Sequence, residues 1–383
     1  MDVRHVEVRI QNHQPKTNDT GPHPKPSESK PRTTGAVRRW SPAFVLVSLS
    51  LLLVVCLILG ATFGSVAIGP VALIDMTLNR LGLAQLAVTW RPQDEVILFD
   101  LRLPRVVGAA LVGLGLATAG TLFQGLLRNP LADPFLVGTS GGASLGAIVG
   151  ILIATPLSLL GFGIVPLAAF IGALLSTMLV YALARVGGRT PVVTLLLAGF
   201  AVSTVLNYLV SLLLIVNDRL QLDLPRIYAW LLGGITVSTW EQLGLVGPAI
   251  IAVAFASIGL GTSLNAFALG EDVAERLGIA VDRDKRLVIA AAAFLTAAAV
   301  TLGGLIGFVG LVVPHVLRLV TGPDNRLLVP ASAFAGASFV VVADVLARTV
   351  LAPSELPVGI LTAFLGGPYL LYLLRRSRRE YHL

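Results

Sequence analysis

Between Gln242 and Gly270, and again between Leu287 and Leu317, the chain holds no Asp, Glu, Lys or Arg. Of the sixteen residues between those stretches, Glu271 to Arg286, nine are charged. A charged island of that density must sit in water, so the uncharged blocks flanking it must be buried in something else. At this length that medium is a lipid bilayer. The island is therefore an aqueous loop of a membrane protein, long enough and patterned enough to hold a helix. Composition agrees: 55% of residues are hydrophobic and 13% charged, with mean hydropathy +0.84, where soluble domains carry about 25% charged residues. An ordinary globular protein is excluded.

The net charge of +7 does not point to nucleic acid. Lys and Arg gather in both tails and in alternate loops, the distribution that sets membrane topology, not one that tracks phosphates. Cys56, the single cysteine, allows neither an intrachain disulfide nor a cysteine metal site. No GxxxxGK[ST] phosphate loop occurs, so the chain does not bind ATP in that way. Nor does any cluster of His, Glu, Ser or Lys suit catalysis.

Residues 1–40 mix five prolines with Lys, Ser, Thr and Asn and read as a disordered basic tail, too polar to offset its ordering entropy. A membrane-crossing helix needs about 20 apolar residues. That ruler predicts spans near 42–64, 106–127, 136–155, 164–184, 191–216, 242–261, 286–305, 308–321, 327–350 and 356–374. The expected fold is thus all-α, with about ten transmembrane helices in a 41–383 domain and a loop at 262–286. An even span number and two basic ends, Arg38 and Arg39 against Arg375 and Arg376, put both termini in the cytoplasm. Segments 65–105 and 217–241 then lie outside and are long enough for interfacial helices, with Trp90, Trp230 and Trp240 suited to a headgroup belt. Glycines 108, 113, 115 and 120 let helix backbones approach closely. RLPRVVGAALVGLGLATAG echoes KRLVIAAAAFLTAAAVTLGG in an oppositely directed span, the pattern of an inverted repeat, although Ala and Gly composition alone produces such a match.

Five places bear on function. A helix over Glu271–Leu277 sets Val273 and Leu277 on one face, with Glu271, Asp272 and Glu275 largely elsewhere, and Gly278 ends it. Such a helix suits a partner's groove; a solvated loop without a partner is the plain alternative. Pro104 fits a first helical turn, which puts Arg102 and Arg105 at a helix N-terminus where the dipole disfavours cations. They snorkel to lipid phosphate, pair with Asp100, or await an acidic partner. Asp344 and Arg348, four apart, form either a functional intramembrane site or a neutral structural pair. His315 has no acid nearby in sequence and reads as a hydrogen-bonded structural residue. NPLADP at 129–134 is a tight turn.

Eight segments in order resemble one family, the iron-chelate and cobalamin (FecCD/BtuC-like) type of ABC-importer permease. They are RLPR at 102–105, GLLRNPLADPFLVGTSGGA at 125–143, LLLAG at 195–199, WLLGG at 230–234, GEDVAERLG at 270–278, GLIGFVGLVVPHVLR at 304–318, ADVLART at 343–349 and ELPVGILTAFLGGPYLLYLLRR at 355–376. The resemblance implies a BtuC-like type II importer bundle with an inverted repeat, acting as a homodimer in the plasma membrane. It implies two cytoplasmic ATP-binding subunits that hold the ATP, no cofactor on this chain, and an outer substrate-binding protein. On the matching residues, Glu271, Asp272, Val273, Ala274, Glu275, Arg276, Leu277 and Gly278 are the coupling helix. Arg102, Arg105 and Arg348 dock the binding protein, and Asn129 and Leu131 narrow an inner gate. The second gate segment, TPVVT at 190–194, has no matching pattern. The expected cargo is a ferric siderophore, with haem or cobalamin as alternatives. A proton- or sodium-coupled secondary transporter is the rival class; it needs buried acids along the path, of which Asp344 is the one candidate.

Overall fold

In the computed structural model, the described residues are 41–64, 68–84, 86–153, 158–159, 161–185, 190–237 and 239–380. The 1–40 tail, the turn at Pro156 and Arg189 lie outside them. The described residues are helical nearly throughout. Helix α1 (Pro42–Thr62) starts at Ser41, whose hydroxyl accepts the Phe44 N–H at 3.2 Å. The short α2 (Pro70–Arg80) and α3 (Pro92–Val96) follow, and α3 runs through a π-turn (Ile97–Arg102) into α4 (Leu103–Leu127). Next come α5 (Thr139–Ile153) and α6 (Ile164–Ala184), joined by a two-residue hairpin, Ser158–Leu159 with Phe162–Gly163, then α7 (Val192–Val216). Two small helices, α8 (Asp218–Leu222) and α9 (Leu224–Leu231), lead to α10 (Trp240–Ile258). The loop between α10 and α13 (Val281–Gly303) carries α11 (Gly261–Ala268) and α12 (Glu271–Arg276). Helices α14 (Val309–Thr321), α15 (Asn325–Thr349) and α16 (Val358–Glu380) complete the chain.

Among the described residues, seven helical runs are long and apolar enough to cross a membrane, and three shorter apolar helices, α5, α14 and the 358–373 part of α16, fall where the remaining spans are expected. The run Pro92–Leu127 is 83% buried over its most apolar stretch, against 17% for α1 and α7. Thus α4 is the core of the bundle, and α1 and α7 turn apolar side chains outward, as lipid requires. Glycine explains how α4 sits so deep. A Cβ at Gly113 would collide with the carbonyl of Gly336 on α15, and one at Gly120 with that of Gly310 on α14. Against α13, Gly115 lies beside Leu295 and Ala299 while Val112 meets Gly303. Numbering rises on α4 as it falls on α13, so the two echoing segments are antiparallel neighbours.

Two expectations change. The helix expected at 106–127 begins at Pro92, so the loop ends near residue 91 and Arg102 and Arg105 lie within a helical run. Pro104 has no N–H and its ring crowds the carbonyl four residues back. The turn before it widens to the i→i+5 pattern, with the Leu103 N–H bonded to the Leu98 carbonyl, and the helix continues. Trp90 is buried with Met76 and Leu98, its indole N–H given to Glu95 at 2.7 Å, and does not stand in an exposed aromatic belt.

Candidate functional site

The charged loop folds as a short, firmly ended helix. Gly270, at φ +112°, admits the chain to α12. Gly278, at φ +83°, closes it: its N–H bonds Glu275 and that of Ile279 bonds Ala274, at 2.9 and 3.0 Å. That pair of bonds is the Schellman ending, which a residue with a Cβ would strain. Ala274 is fully buried beneath the helix. Asp272, Glu275 and Arg276 are exposed. Val273 and Leu277, 42% and 62% exposed, form an apolar pair on the outer face. Glu271 anchors the first turn, accepting the buried Lys285 ammonium at 2.6 Å and reaching Arg128 at 3.7 Å. Behind it, Asn265 on α11 donates to Asp324 at 2.7 Å and accepts the Asn325 N–H at 2.8 Å, binding the loop to the start of α15.

Arg128 links the segment expected to form the gate to this helix. It caps α4 in the left-handed conformation, φ +50°, which turns the chain sharply into 129–134. Exposed Asn129 accepts the Leu131 N–H at 2.9 Å, and the partly exposed Leu131 sits at the bend. Asp133 accepts the Phe135 N–H at 2.8 Å to start a 3-10 turn, Pro134–Val137. Burial pushes the Asp133 carboxyl up to about 6, and that N–H pulls partly the other way. Thr190 and Val192, from the segment without a family pattern, line one small enclosed space with Leu126, Leu127 and Lys285. The 129–134 turn, the 190–194 segment and the α12 brace therefore meet at one end of the bundle. Arg128 and Lys285 escaped sequence reasoning because their roles rest on contacts with Glu271 across two separate turns.

The opposite end holds a buried ion cluster. Asp344 lies between Arg105 at 3.1 Å and Arg348 at 2.9 Å, and Arg105 continues to Glu355 at 2.8 Å. Arg348 also donates to the carbonyls of Gly60 and Phe63, and Arg102 to those of Ala61 and Thr62, all at 3.2–3.3 Å. The last carbonyls of a helix lack internal partners and carry partial negative charge. Two arginines thus cap the C-terminus of α1. The dipole that looked adverse in the sequence is favourable here because it belongs to another helix. Arg102 and Arg348 are buried; of the three docking candidates Arg105 alone is partly exposed, and its partner Glu355 is 49% exposed. Asp344 is committed to two cations, which removes the acid that ion-coupled transport called for.

His315 departs from expectation. Both its ring nitrogens are buried without a hydrogen-bond partner among the described residues, and its ring meets the edge of Tyr369, centroids 6.0 Å apart. Its contact in the bundle is aromatic, in place of the protein hydrogen bond expected.

Comparison with known proteins accounts for these features together. The sequence matches the FecCD transport family over residues 52–376. It is 45% identical to the cobalamin import system permease of Halobacterium salinarum over 281 residues, 73% of this chain and 74% of that protein. It is 40% identical to the hemin transport system permease of Yersinia pestis, over 74% of this chain and 84% of that one. With the iron(3+)-hydroxamate import system permease of Bacillus subtilis it shares 36% identity, over 88% of this chain and 98% of its relative. A solved structure described as an inward-facing conformation of a metal-chelate type ABC transporter superposes with TM-score 0.71 at 29% identity, covering 90% of this chain and all of the other. Members of this family work with ATP-binding and substrate-binding partners. The chain belongs to the FecCD transport family and is a multi-pass permease subunit of an ABC importer of the iron-chelate and cobalamin type, not an enzyme.

Proposed function

We propose that two copies of this chain form the pathway by which a ferric siderophore crosses the plasma membrane, with both termini in the cytoplasm and lipid around the dimer. Two ATP-binding subunits supply the energy, and an outer binding protein delivers the cargo. The observation that carries this reading is the apolar pair Val273 and Leu277, exposed on a helix whose first turn is held by Lys285 and Arg128. An exposed apolar face on a braced element is what a partner's groove takes up. Closure of the ATP-binding subunits would press on α12, and Glu271 would pass that displacement to Arg128 and the turn at Asn129 and Leu131, the proposed inner gate. At the outer end Arg105 is the docking residue best placed to exchange its exposed partner, Glu355, for a carboxylate of the binding protein. Arg102 and Arg348 support it from below.

The siderophore cargo is favoured by the hydroxamate-importer relative, which aligns over nearly its whole length. Cobalamin or haem is the second reading, favoured by the 45% and 40% identical relatives. Uptake by cells carrying this chain, measured with radioiron hydroxamate against excess unlabelled haem or cobalamin, separates them. Saturable siderophore uptake that neither competitor reduces supports the first reading; uptake confined to haem or cobalamin removes it.

A further inference from the structure

Helix α14 contains Pro314. Proline has no N–H, so the Gly310 carbonyl loses the donor that a regular helix would give it. Gly310 is buried, so that carbonyl calls for a donor from elsewhere in the protein. The replacement comes from α4. Gln124, 2% exposed, points its amide nitrogen at the carbonyls of Gly310 and Leu311, at 3.3 and 3.0 Å. One turn earlier Gly120 has no side chain to obstruct the same Gly310 carbonyl. The Gln124 amide nitrogen also faces the Ala132 carbonyl, in the 129–134 turn, at 3.4 Å. Its oxygen accepts from Arg318 at 3.0 Å. The amide can sit only one way round, since the flipped group would set its oxygen against three carbonyls and its NH2 against a guanidinium. The turn also touches the break directly: a Cβ at Gly310 would lie 2.6 Å from the Pro134 ring.

We infer that Gln124 is a positioning residue for the proposed gate, fastening the 129–134 turn to the proline-broken start of α14 so that the two move as one piece. The inference rests on Asn129 and Leu131 belonging to the gate. A glutamate at 124 keeps an acceptor for Arg318 but offers the three carbonyls no proton. A leucine keeps neither function. An alanine at 314 restores the N–H that Gly310 lacks, and so lessens the need for Gln124.

The test uses the full complex, permease with its ATP-binding subunits and binding protein, in liposomes, and reads cargo moved per ATP hydrolysed. Gln124→Glu and Gln124→Leu are expected to lower that ratio tenfold or more, with ATP hydrolysis within twofold of wild type. Adding Pro314→Ala to Gln124→Leu is expected to recover at least threefold. Loss of yield in the leucine variant leaves the glutamate variant, which keeps the side chain's shape, to decide. An unchanged ratio in Gln124→Glu, or no recovery in the double variant, overturns the inference. Leu131→Ala, measured alongside, keeps the two assignments apart. A changed ratio there with normal Gln124 variants removes only the role of Gln124. Normal Leu131→Ala and Asn129→Ala variants with impaired Gln124 variants remove the gate assignment instead.

Discussion

The two ends of the bundle use charge in opposite ways. Around Asp344 the ionised groups are buried, matched to one another and to the end of α1, while apolar residues surround them. Around α12 most charges are solvated and the apolar pair Val273 and Leu277 is what protrudes. The first pattern holds helices together; the second is the surface through which α12 is proposed to meet a partner. Charged residues alone did not distinguish them, for RLPR and GEDVAERLG look equally functional as sequence. Burial decides.

The largest expected effect strikes the buried end. Asp344→Ala leaves the buried Arg348 with no carboxylate beside it, only the α1 carbonyls, and leaves Arg105 with Glu355 alone, a loss of about 3 kcal/mol, read as a fall in unfolding midpoint in detergent. A change under about 1 kcal/mol would mean water reaches the cluster and would erase the contrast between the ends. At the other end, Val273→Asp with Leu277→Asp is expected to cost about 2 kcal/mol or more of partner affinity. Copurifying ATP-binding subunit would drop more than tenfold while the unfolding midpoint of the permease itself holds. If that midpoint fell instead, the pair would be core.

A smaller effect is expected from Asp133. Its folded value of about 6 stands above the unfolded value of about 3.9, so the folded state binds the proton more readily. The stability this contributes is complete below the unfolded value and is lost as pH rises through about 6. Wild type therefore gains stability between pH 7 and pH 5 relative to Asp133→Asn, which keeps an oxygen for the Phe135 N–H; parallel midpoints across that range would show the carboxyl to be solvated. The smallest change belongs to Arg128→Gln. Its half-exposed 3.7 Å pair with Glu271 is worth up to about 1 kcal/mol of stability. Its larger readout is transport per ATP, and an unchanged ratio would remove Arg128 from the link to Asn129.

What could be read from sequence was whatever depended on local chemistry. The island, its Gly278 ending and its Val273–Leu277 face followed from spacing and from the conformational freedom of glycine. The lengths of α1, α6 and α7 followed from the thickness of a bilayer. Elements set by distant partners were not legible. Residues 97–102, ILFDLR, fell inside the outer segment expected at 65–105, yet a helical run continues through them into α4, with Arg102 met by α1, 40 residues earlier in the chain. Helix α14, with 13 residues, is too short for the ruler that predicted it. Its first turn lies beside Gly120 in the interior of the bundle, after an irregular stretch whose surroundings are bonded by Thr236 to Leu302 and Gly359 to Gly233, each at 3.0 Å. Non-helical backbone is tolerated there because protein, not lipid, meets its polar groups. Three-way contacts such as Arg128–Glu271–Lys285 have no spacing signature at all.

The most direct test of a permease driven through α12 is uptake into liposomes holding this chain with its ATP-binding subunits, binding protein outside and ATP within. The expected result is cargo accumulation that requires enclosed ATP and is abolished by Val273→Asp with Leu277→Asp while ATP-independent leak stays at background. Accumulation by the chain alone, driven by a proton or sodium gradient and indifferent to the α12 substitutions, would contradict it.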